Sequence, residues 1–334
     1  MFNIRSISSQ LDPLQLGAFI QDQYNLGDQI SVQLLKKGFN DHYLVKTSSK
    51  KFVMRVYSTI SSWNILREQK EFEVEFMDYL SDNGIHVTKP VKTQSGDFLS
   101  SIKTIEGPRE SFLMEYIPIE RYEVTVEWCR KAGTRIGKFH EIAAQFQSNN
   151  RRLEIDLDYL IDHPIGKIVK YQPVIEIDHF PNVFEEVGML LRKKIENLSL
   201  SDEVFGLIHG DLGLHNLIYY ENLLHLFDFD LCGYGYRAFD LAVFKNTLDF
   251  IGRGTQEHQD AFDSGYDSVR TVGNDEKVLL DLMINAIHHI WLLGYWITFI
   301  PVLGLEYFNG SFDKTLEFST KKLVAFLEKQ KLKS

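Results

Sequence analysis

Along the first third of the chain, apolar and polar residues alternate in short runs. Ile30–Leu35 (ISVQLL), His42–Thr47 (HYLVKT) and Lys51–Tyr57 (KFVMRVY) each read as strands. The links between them, Lys37–Asp41 and Ser48–Lys50, are short and polar, so the three strands form two successive hairpins of an antiparallel meander. The period then changes. Leu66, Phe72, Phe76, Met77 and Leu80 recur at helical spacing, which predicts a helix over Trp63–Asn83, stopped by Asn83-Gly84. Val87–Val91, Phe98–Ile105 and Ser111–Ile117 return to strand pattern. Strands, one helix and more strands describe an α+β lobe in which a single helix packs on an antiparallel sheet.

After Pro118 the pattern becomes helical, beginning with a long amphipathic stretch over Val126–Phe146. The exception is Leu207–Phe229, where the β-type runs LIHGDL, NLIYY and LLHLFDF surround a polar cluster. These changes place a boundary near Ile117, giving an N-terminal lobe over 1–117 and a C-terminal lobe over 118–334. Ile284–Leu305 is apolar enough to raise the question of a membrane span. Accepting it would put His288, His289 and Pro301 inside the span, so it reads as a buried helix followed by a loop.

Composition narrows the function. The 334 residues are 44% hydrophobic and 25% charged, the balance of a globular protein large enough for two lobes. A net charge of −10 argues against a nucleic-acid partner, because phosphate backbones need Lys and Arg surfaces. Cys129 and Cys232 are the two cysteines, far apart and without metal-ligand spacing, which suggests a reducing setting. Met1–Gln10 lacks an apolar signal core, and the expectation is a cytoplasmic protein with no membrane partner. Oligomeric state stays open.

The densest chemical signal is His209-Gly210-Asp211-Leu212-Gly213-Leu214-His215-Asn216, followed by Phe227-Asp228-Phe229-Asp230. Phosphoryl transfer asks for a carboxylate to orient and deprotonate a hydroxyl, and for hard oxygen ligands to Mg²⁺. An Asp with an Asn five residues on supplies both from one turn, and an Asp on the next strand completes the metal site.

HGDLGLHN with FDFDLCGYGYRAFDLA closely resembles the aminoglycoside phosphotransferase and choline kinase superfamily, near its stress-response Ser/Thr kinase and type II homoserine kinase groups. The resemblance implies a protein-kinase-like bilobal α+β fold with ATP between the lobes, GTP being the other nucleotide such a site takes. It implies Asp211 as catalytic base, and Asn216 and Asp228 as Mg²⁺ ligands. Asp230 supports the metal or faces the pocket, and His209 braces the loop. Asp240 resembles a helix Asp that holds the catalytic-loop backbone.

On the nucleotide side, Gly38 and Asn40 match the G-x-N of a phosphate-covering loop, which an ordinary hairpin turn would also satisfy. Arg55 stands where such folds carry a phosphate-binding Lys, with Glu73 on the following helix as its partner. Glu71 and Glu75 are near enough in sequence to compete for that role. Glu115 and Ile117 would offer backbone atoms to an adenine edge. His288, His289, Trp291 and Tyr295 fall on a helix where relatives build the acceptor pocket, though aromatics at helical spacing also serve as core.

The expected function is ATP-dependent phosphorylation of a small-molecule hydroxyl. A stress-response-type protein Ser/Thr kinase and a catalytically silent nucleotide-binding protein are the alternatives. The short segment after Asp230 weighs against the first and the retained Asp211, Asn216 and Asp228 against the second.

Overall fold

The alternating runs of the first third fold into one antiparallel sheet. Strands β1 (Ser31–Lys36), β2 (Asp41–Lys46) and β3 (Lys51–Val56) form the meander, and β6 (Gly107–Glu115) pairs with the free side of β3. Strands β4 (Pro90–Val91) and β5 (Ser100–Thr104) both pair with β6. The computed structural model describes residues 4, 6–27, 29–59, 66–171, 181–300, 304 and 311–332. The chain divides into two compact units, the first comprising 1–122, 145–152 and 217–230, the second 123–144, 153–216 and 231–334.

In the first unit, β2 buries every second side chain, and Tyr43 and Val45 meet Phe52, Met54 and Leu113 from the neighbouring strands. A helix absent from the sequence expectation, α1 (Pro13–Gln23), covers this core with Leu16, Ile20 and Tyr24. Its start is set by Asp12, whose Oδ1 accepts the Leu14 and Gln15 N–H groups at 2.8 and 3.0 Å, with Pro13 next in the chain. Helix α2 (Arg67–Asp82) buries Phe72, Phe76 and Leu80 as its spacing predicts. Residues 63–65 of the expected helix lie outside the described residues. Phe72 and Phe76 meet Phe146, and Phe76 meets Phe229 edge-on at 5.9 Å, so the two returning segments join the aromatic core.

The strand expected over Val87–Val91 shrinks to β4. Pro90 has no N–H for a ladder, and Val87 instead bridges Leu226. Leu226 closes the hairpin of β9 (Leu217–Tyr220) and β10 (Leu223–Leu226).

The second unit is mainly helical. Its three-stranded sheet runs β7 (Glu154–Ile155), β11 (Gly233–Tyr236), β8 (Phe205–Ile208). Around it lie α3 (Val126–Ala143), α4 (His163–Tyr171), α5 (Pro181–Ile195), α6 (Arg237–Phe250), α7 (Gln256–Asp267), α8 (Asn274–Leu282), α9 (His288–Ile297) and α10 (Ser311–Lys331). Helices α8 and α9 join through a wide turn at 283–287. The stretch 274–297 is long and apolar enough to cross a membrane by length and composition, and 67% of its most apolar window is buried inside the protein. The described part of Ile284–Leu305 is thus a largely buried helix; 301–303 and 305 lie outside the described residues. The antiparallel sheet and the helical remainder together bear out the α+β expectation.

Two features of this unit generate predictions. Helices α3 and α7 approach so closely that a Cβ on Gly133 would lie 2.1 Å from the Phe262 carbonyl oxygen, and one on Gly265 would lie 2.0 Å from that of Arg130. Backbone cannot yield cheaply, so Gly265→Ala is expected to lower stability by about 1–3 kcal/mol in chemical denaturation. Gly17→Ala, whose Cβ would meet only Val32 at 3.5 Å, should instead be neutral or stabilising.

Secondly, His288 and His289 are buried, and burial pushes each to about 3, with Asp211 opposing at His288 and Lys322 adding to it at His289. Below the ordinary histidine value of about 6.5 the unfolded chain takes up protons that the folded state refuses. Stability therefore falls as pH drops from about 6.5, by about 1.4 kcal/mol per pH unit for each histidine once well below it. Calorimetric melting from pH 7 to 4.5 should show this decline, and His289→Gln should make it shallower.

Candidate active site

The loop that follows β8 is held from behind. Asp240, fully buried on α6, accepts the His209 N–H at 2.8 Å through Oδ2 and the Gly210 N–H at 2.9 Å through Oδ1. His140 of α3 lies 3.1 Å from the same Oδ2, and its other ring nitrogen lies 2.9 Å from the Tyr266 hydroxyl. Burial pushes His140 below the usual histidine value, with Asp240 opposing, so the ring is neutral. A neutral ring donates Nε2–H to the carboxylate and accepts the Tyr266 O–H at Nδ1. Gly210 takes φ +80°, and a Cβ there would lie 2.3 Å from the Leu231 carbonyl oxygen. No other residue type fits this turn without moving the backbone.

His209, also fully buried, offers Nδ1 to the Asp211 N–H at 3.4 Å. The Asp211 carboxylate then points out of the loop, with Oδ2 receiving Asn216 Nδ2 at 3.0 Å and lying 3.1 Å from His215 Nε2. Asn216 Nδ2 also donates to the Asp211 carbonyl at 2.8 Å, which leaves its own amide oxygen for another partner. Asp211 and His215 line a cavity of about 140 Å³ within this unit, whose other polar walls include Asn246, Thr247 and His288. Of the candidate acceptor residues, His288 lines this cavity. Trp291 stacks on both His288 and Tyr295, at 6.0 and 5.0 Å between ring centres, and neither Trp291 nor Tyr295 is among the lining residues.

In the first unit, the 2% exposed Arg55 is the centre. Its Nη1 donates to Glu73 at 2.8 Å, its Nη2 to Asp228, and its Nε to His42 Nε2 at 3.1 Å. Burial alone would lower the Arg55 pKa, but the carboxylates of Asp228 and Glu73 outweigh it and raise it. His42 is pushed down to about 3 by burial and then by Arg55, so it stays a neutral acceptor. Of the acidic residues near Glu73, Glu71 pairs with Arg67 and Glu75 binds Ser148 and Asn150. Asp228 takes φ +66°, a left-handed conformation that Asp tolerates better than most residues.

Asn40 Nδ2 donates to Asp230 Oδ2 at 3.2 Å while its Oδ1 accepts the Ser58 N–H, which ties the first hairpin loop, with Gly38, to the segment carrying Asp228. The Glu115 N–H is engaged by the Lys89 carbonyl at 2.9 Å, and Ile117 lies half-buried just beyond β6.

Sequence reasoning missed three of these contacts. His42 faces Arg55 across the β2–β3 ladder, a cross-strand neighbour that the hairpin register could have revealed. Asn246 is a buried polar residue of α6, and no spacing links it to His288. Arg152 donates to the Asp230 carbonyl at 2.5 Å and to the Phe229 carbonyl at 3.3 Å, and no local pattern marks it.

Among the described residues no group of three or more His, Cys, Asp or Glu could hold a metal ion. The Asn216 amide oxygen and the Asp228 carboxylate are hard donors of the kind Mg²⁺ takes. An ion that keeps most of its waters needs no more than one or two protein ligands, so the donor chemistry fits Mg²⁺.

Over 305 residues the chain is 28% identical to an uncharacterized protein of Deinococcus radiodurans, covering 88% of this chain and 85% of that one. It is 25% identical over 292 residues to a homoserine kinase of Brucella anthropi, covering 84% and 83%. Among solved structures it resembles amicoumacin kinase hAmiN, in complex with AMP-PNP, Ca²⁺ and Ami, at TM-score 0.73 and 19% identity over 93% of this chain and 94% of that one. It resembles a microcompartment-associated aminopropanol kinase at TM-score 0.74 and 19% identity over 93% and 95%. These likenesses identify the protein-kinase-like fold. The model of the phosphotransferase enzyme family, APH, matches residues 31–271, and the chain belongs to that family.

Proposed function

We propose that this phosphotransferase moves the γ-phosphoryl group of ATP to a hydroxyl of a small molecule (aminoglycoside-like, amino alcohol or sugar), with Mg²⁺ and with Asp211 as base. The observation that carries the reading is the Asp211 carboxylate. It lines a cavity, is aimed by two hydrogen-bonding neighbours, and sits on a loop whose backbone is pinned by a buried carboxylate. Kinases for small molecules among the relatives and structural neighbours support it. The segment after Asp230 also supports a compact acceptor, since only Leu231–Tyr236 separates it from α6.

In this mechanism the acceptor hydroxyl donates its hydrogen bond to Asp211. As its oxygen attacks the γ-phosphorus, the proton passes to the carboxylate, the new O–P bond forms, and the bond to the β-phosphate oxygen breaks with its electron pair leaving on ADP. Mg²⁺, taken up through Asn216 and Asp228, would neutralise phosphate charge. Arg55, fixed by Glu73, is the proposed partner of the α/β-phosphates in place of Lys. Its planar fork serves Glu73 and Asp228 at once, which a point charge on a flexible stem does less well. Gly38 and Asn40 are proposed to cover the phosphates, and the backbone at Glu115 and Ile117 to meet the adenine edge. Asp230, His209 and Asp240 are assigned supporting roles. Two free buried cysteines accord with a cytoplasmic setting.

Asp211→Ala is expected to lower kcat about 100- to 10,000-fold while nucleotide still raises the melting temperature. Undiminished turnover would remove Asp211 as base. Arg55→Ala strands the buried Glu73 carboxylate and should destabilise by about 3–5 kcal/mol, whereas Arg55→Lys keeps the charge. Titration calorimetry on the folded Lys variant should show AMP-PNP affinity weakened less than in the Ala variant. Equal affinity in all three proteins would take Arg55 out of the phosphate site.

A further inference from the structure

The wall of the Asp211 cavity contains a polar pair whose chemistry is fixed by its surroundings. Asn246, 2% exposed, donates Nδ2 to the Ile284 carbonyl at 3.0 Å and lies 2.9 Å from His288 Nδ1 through the same nitrogen. The carbonyl settles the amide orientation, because an amide oxygen turned toward it would set two acceptors face to face. With both Nδ2 hydrogens committed, His288 Nδ1 is the acceptor and its proton sits on Nε2. Asn246 Oδ1 is then a buried acceptor without a partner among the described residues. His288, 4% exposed and held neutral by its burial, carries the matching Nε2–H donor. The rest of the wall is dominated by Val243, Phe250, Leu292 and Phe318.

We infer that the cavity selects a small uncharged alcohol with an apolar body and one further group that both donates and accepts a hydrogen bond, such as a second hydroxyl or a primary amide. The inference rests on the reading of Asp211 as the group that meets the acceptor hydroxyl. Size sets the first limit: a cavity of about 150 Å³ takes one benzene molecule, so about 140 Å³ holds a short chain or a single ring. Charge sets the second. Asp211 is the one carboxylate among the described lining residues, and on the proposed reading it is engaged with the reacting hydroxyl. An ammonium group deeper in the cavity would lose its water, gain one neutral acceptor from Asn246, and face the like-signed Nε2–H of His288. A hydroxyl or amide satisfies both groups and brings no charge to desolvate.

The test compares two acceptors that differ in one group, pentane-1,4-diol and 4-aminopentan-1-ol, with homoserine as a zwitterionic third. In a coupled ADP-release assay with Mg²⁺ and ATP, the diol should exceed both in kcat/KM by at least about tenfold. Asn246→Asp places a carboxylate in the wall and should shift the ratio toward the amine by a similar factor. Leu292→Asp adds a carboxylate without touching the Ile284 contact, and serves if the first variant does not fold. Calorimetric binding of the diol and the amine to the AMP-PNP complex reads the same preference without turnover. Equal or better use of the amine, or binding of neither compound, overturns the inference. Preferred diol binding without transfer to any acceptor would sink the kinase reading and leave this one standing.

Discussion

One buried carboxylate holds the second unit's chemistry in place. Asp240 has no exposure to solvent, and a carboxylate taken out of water is tolerated only when hydrogen-bond donors replace the lost hydration. Here they are the backbone amides of His209 and Gly210 and the ring of His140. The ring donates because it is neutral, and it is oriented because Tyr266 occupies its other nitrogen. Tyr266 reaches that nitrogen because α7 lies close against α3, where Gly133 and Gly265 leave no room for a side chain. A chain of cause runs from two glycines through Tyr266, His140 and Asp240 to the loop that aims Asp211. None of these steps involves the Asp211 carboxylate itself, so the loop is set independently of any ligand, as preorganised chemistry requires.

The first unit solves a different problem, holding a permanent cation out of water. Arg55 is nearly inaccessible, yet each of its three donor directions is met, by Glu73, Asp228 and the neutral His42. His42 matters because a protonated imidazole there would repel the guanidinium; burial and Arg55 together keep it unprotonated. The arrangement also explains why Arg is accommodated. A lysine's donors all sit on one nitrogen at the end of a flexible stem, whereas the guanidinium presents Nε, Nη1 and Nη2 to three separate partners. Arg152 reinforces the same segment by binding the backbone at Phe229 and Asp230, next to the strained Asp228.

Most of the first unit was legible because its signals are local. The meander follows from period-two runs and short polar links, and α2 from its apolar spacing; each matches the observed strands and helix within a few residues. Helix α1 escaped notice, although Leu16, Phe19, Ile20 and Tyr24 recur at helical spacing behind the Asp12-Pro13 start. Strand β11 escaped because Gly233 and Gly235 dilute its β character. Those glycines are there because a Cβ at either would meet the neighbouring β7 segment, at 2.5 Å from the Leu153 carbonyl oxygen for Gly233. At the site, residues joined by sequence spacing, Asp211 with Asn216, could be read directly. Arg55 with Glu73 needed only one strand and one helix. His42 follows from the hairpin register once β2 and β3 are paired, whereas Arg152 and Asn246 act across longer separations or through hydrogen-bond orientation, which no spacing encodes.

That difference bears on how chemistry and selectivity are distributed along the chain. The segment matched by the family, residues 31–271, contains the Asp240 relay, Asp211, Asn216, Asp228 and Arg55. The cavity beside Asp211 draws His288 and Leu292 from α9, and Thr315 and Phe318 from α10, all beyond that segment. Asn246 links the two, since it lies on α6 six residues after Asp240 and fixes the His288 tautomer through one amide hydrogen. Exchanges at Leu292, Thr315 or Phe318 reshape the cavity without disturbing a single hydrogen bond of the relay. Exchanges at Asn246 alter the cavity's polarity and the helix contact together. The wall from α9 and α10 can therefore diverge while the loop stays fixed, and on the proposed reading of Asp211 the segment 31–271 carries the transfer while the wall carries the choice of acceptor.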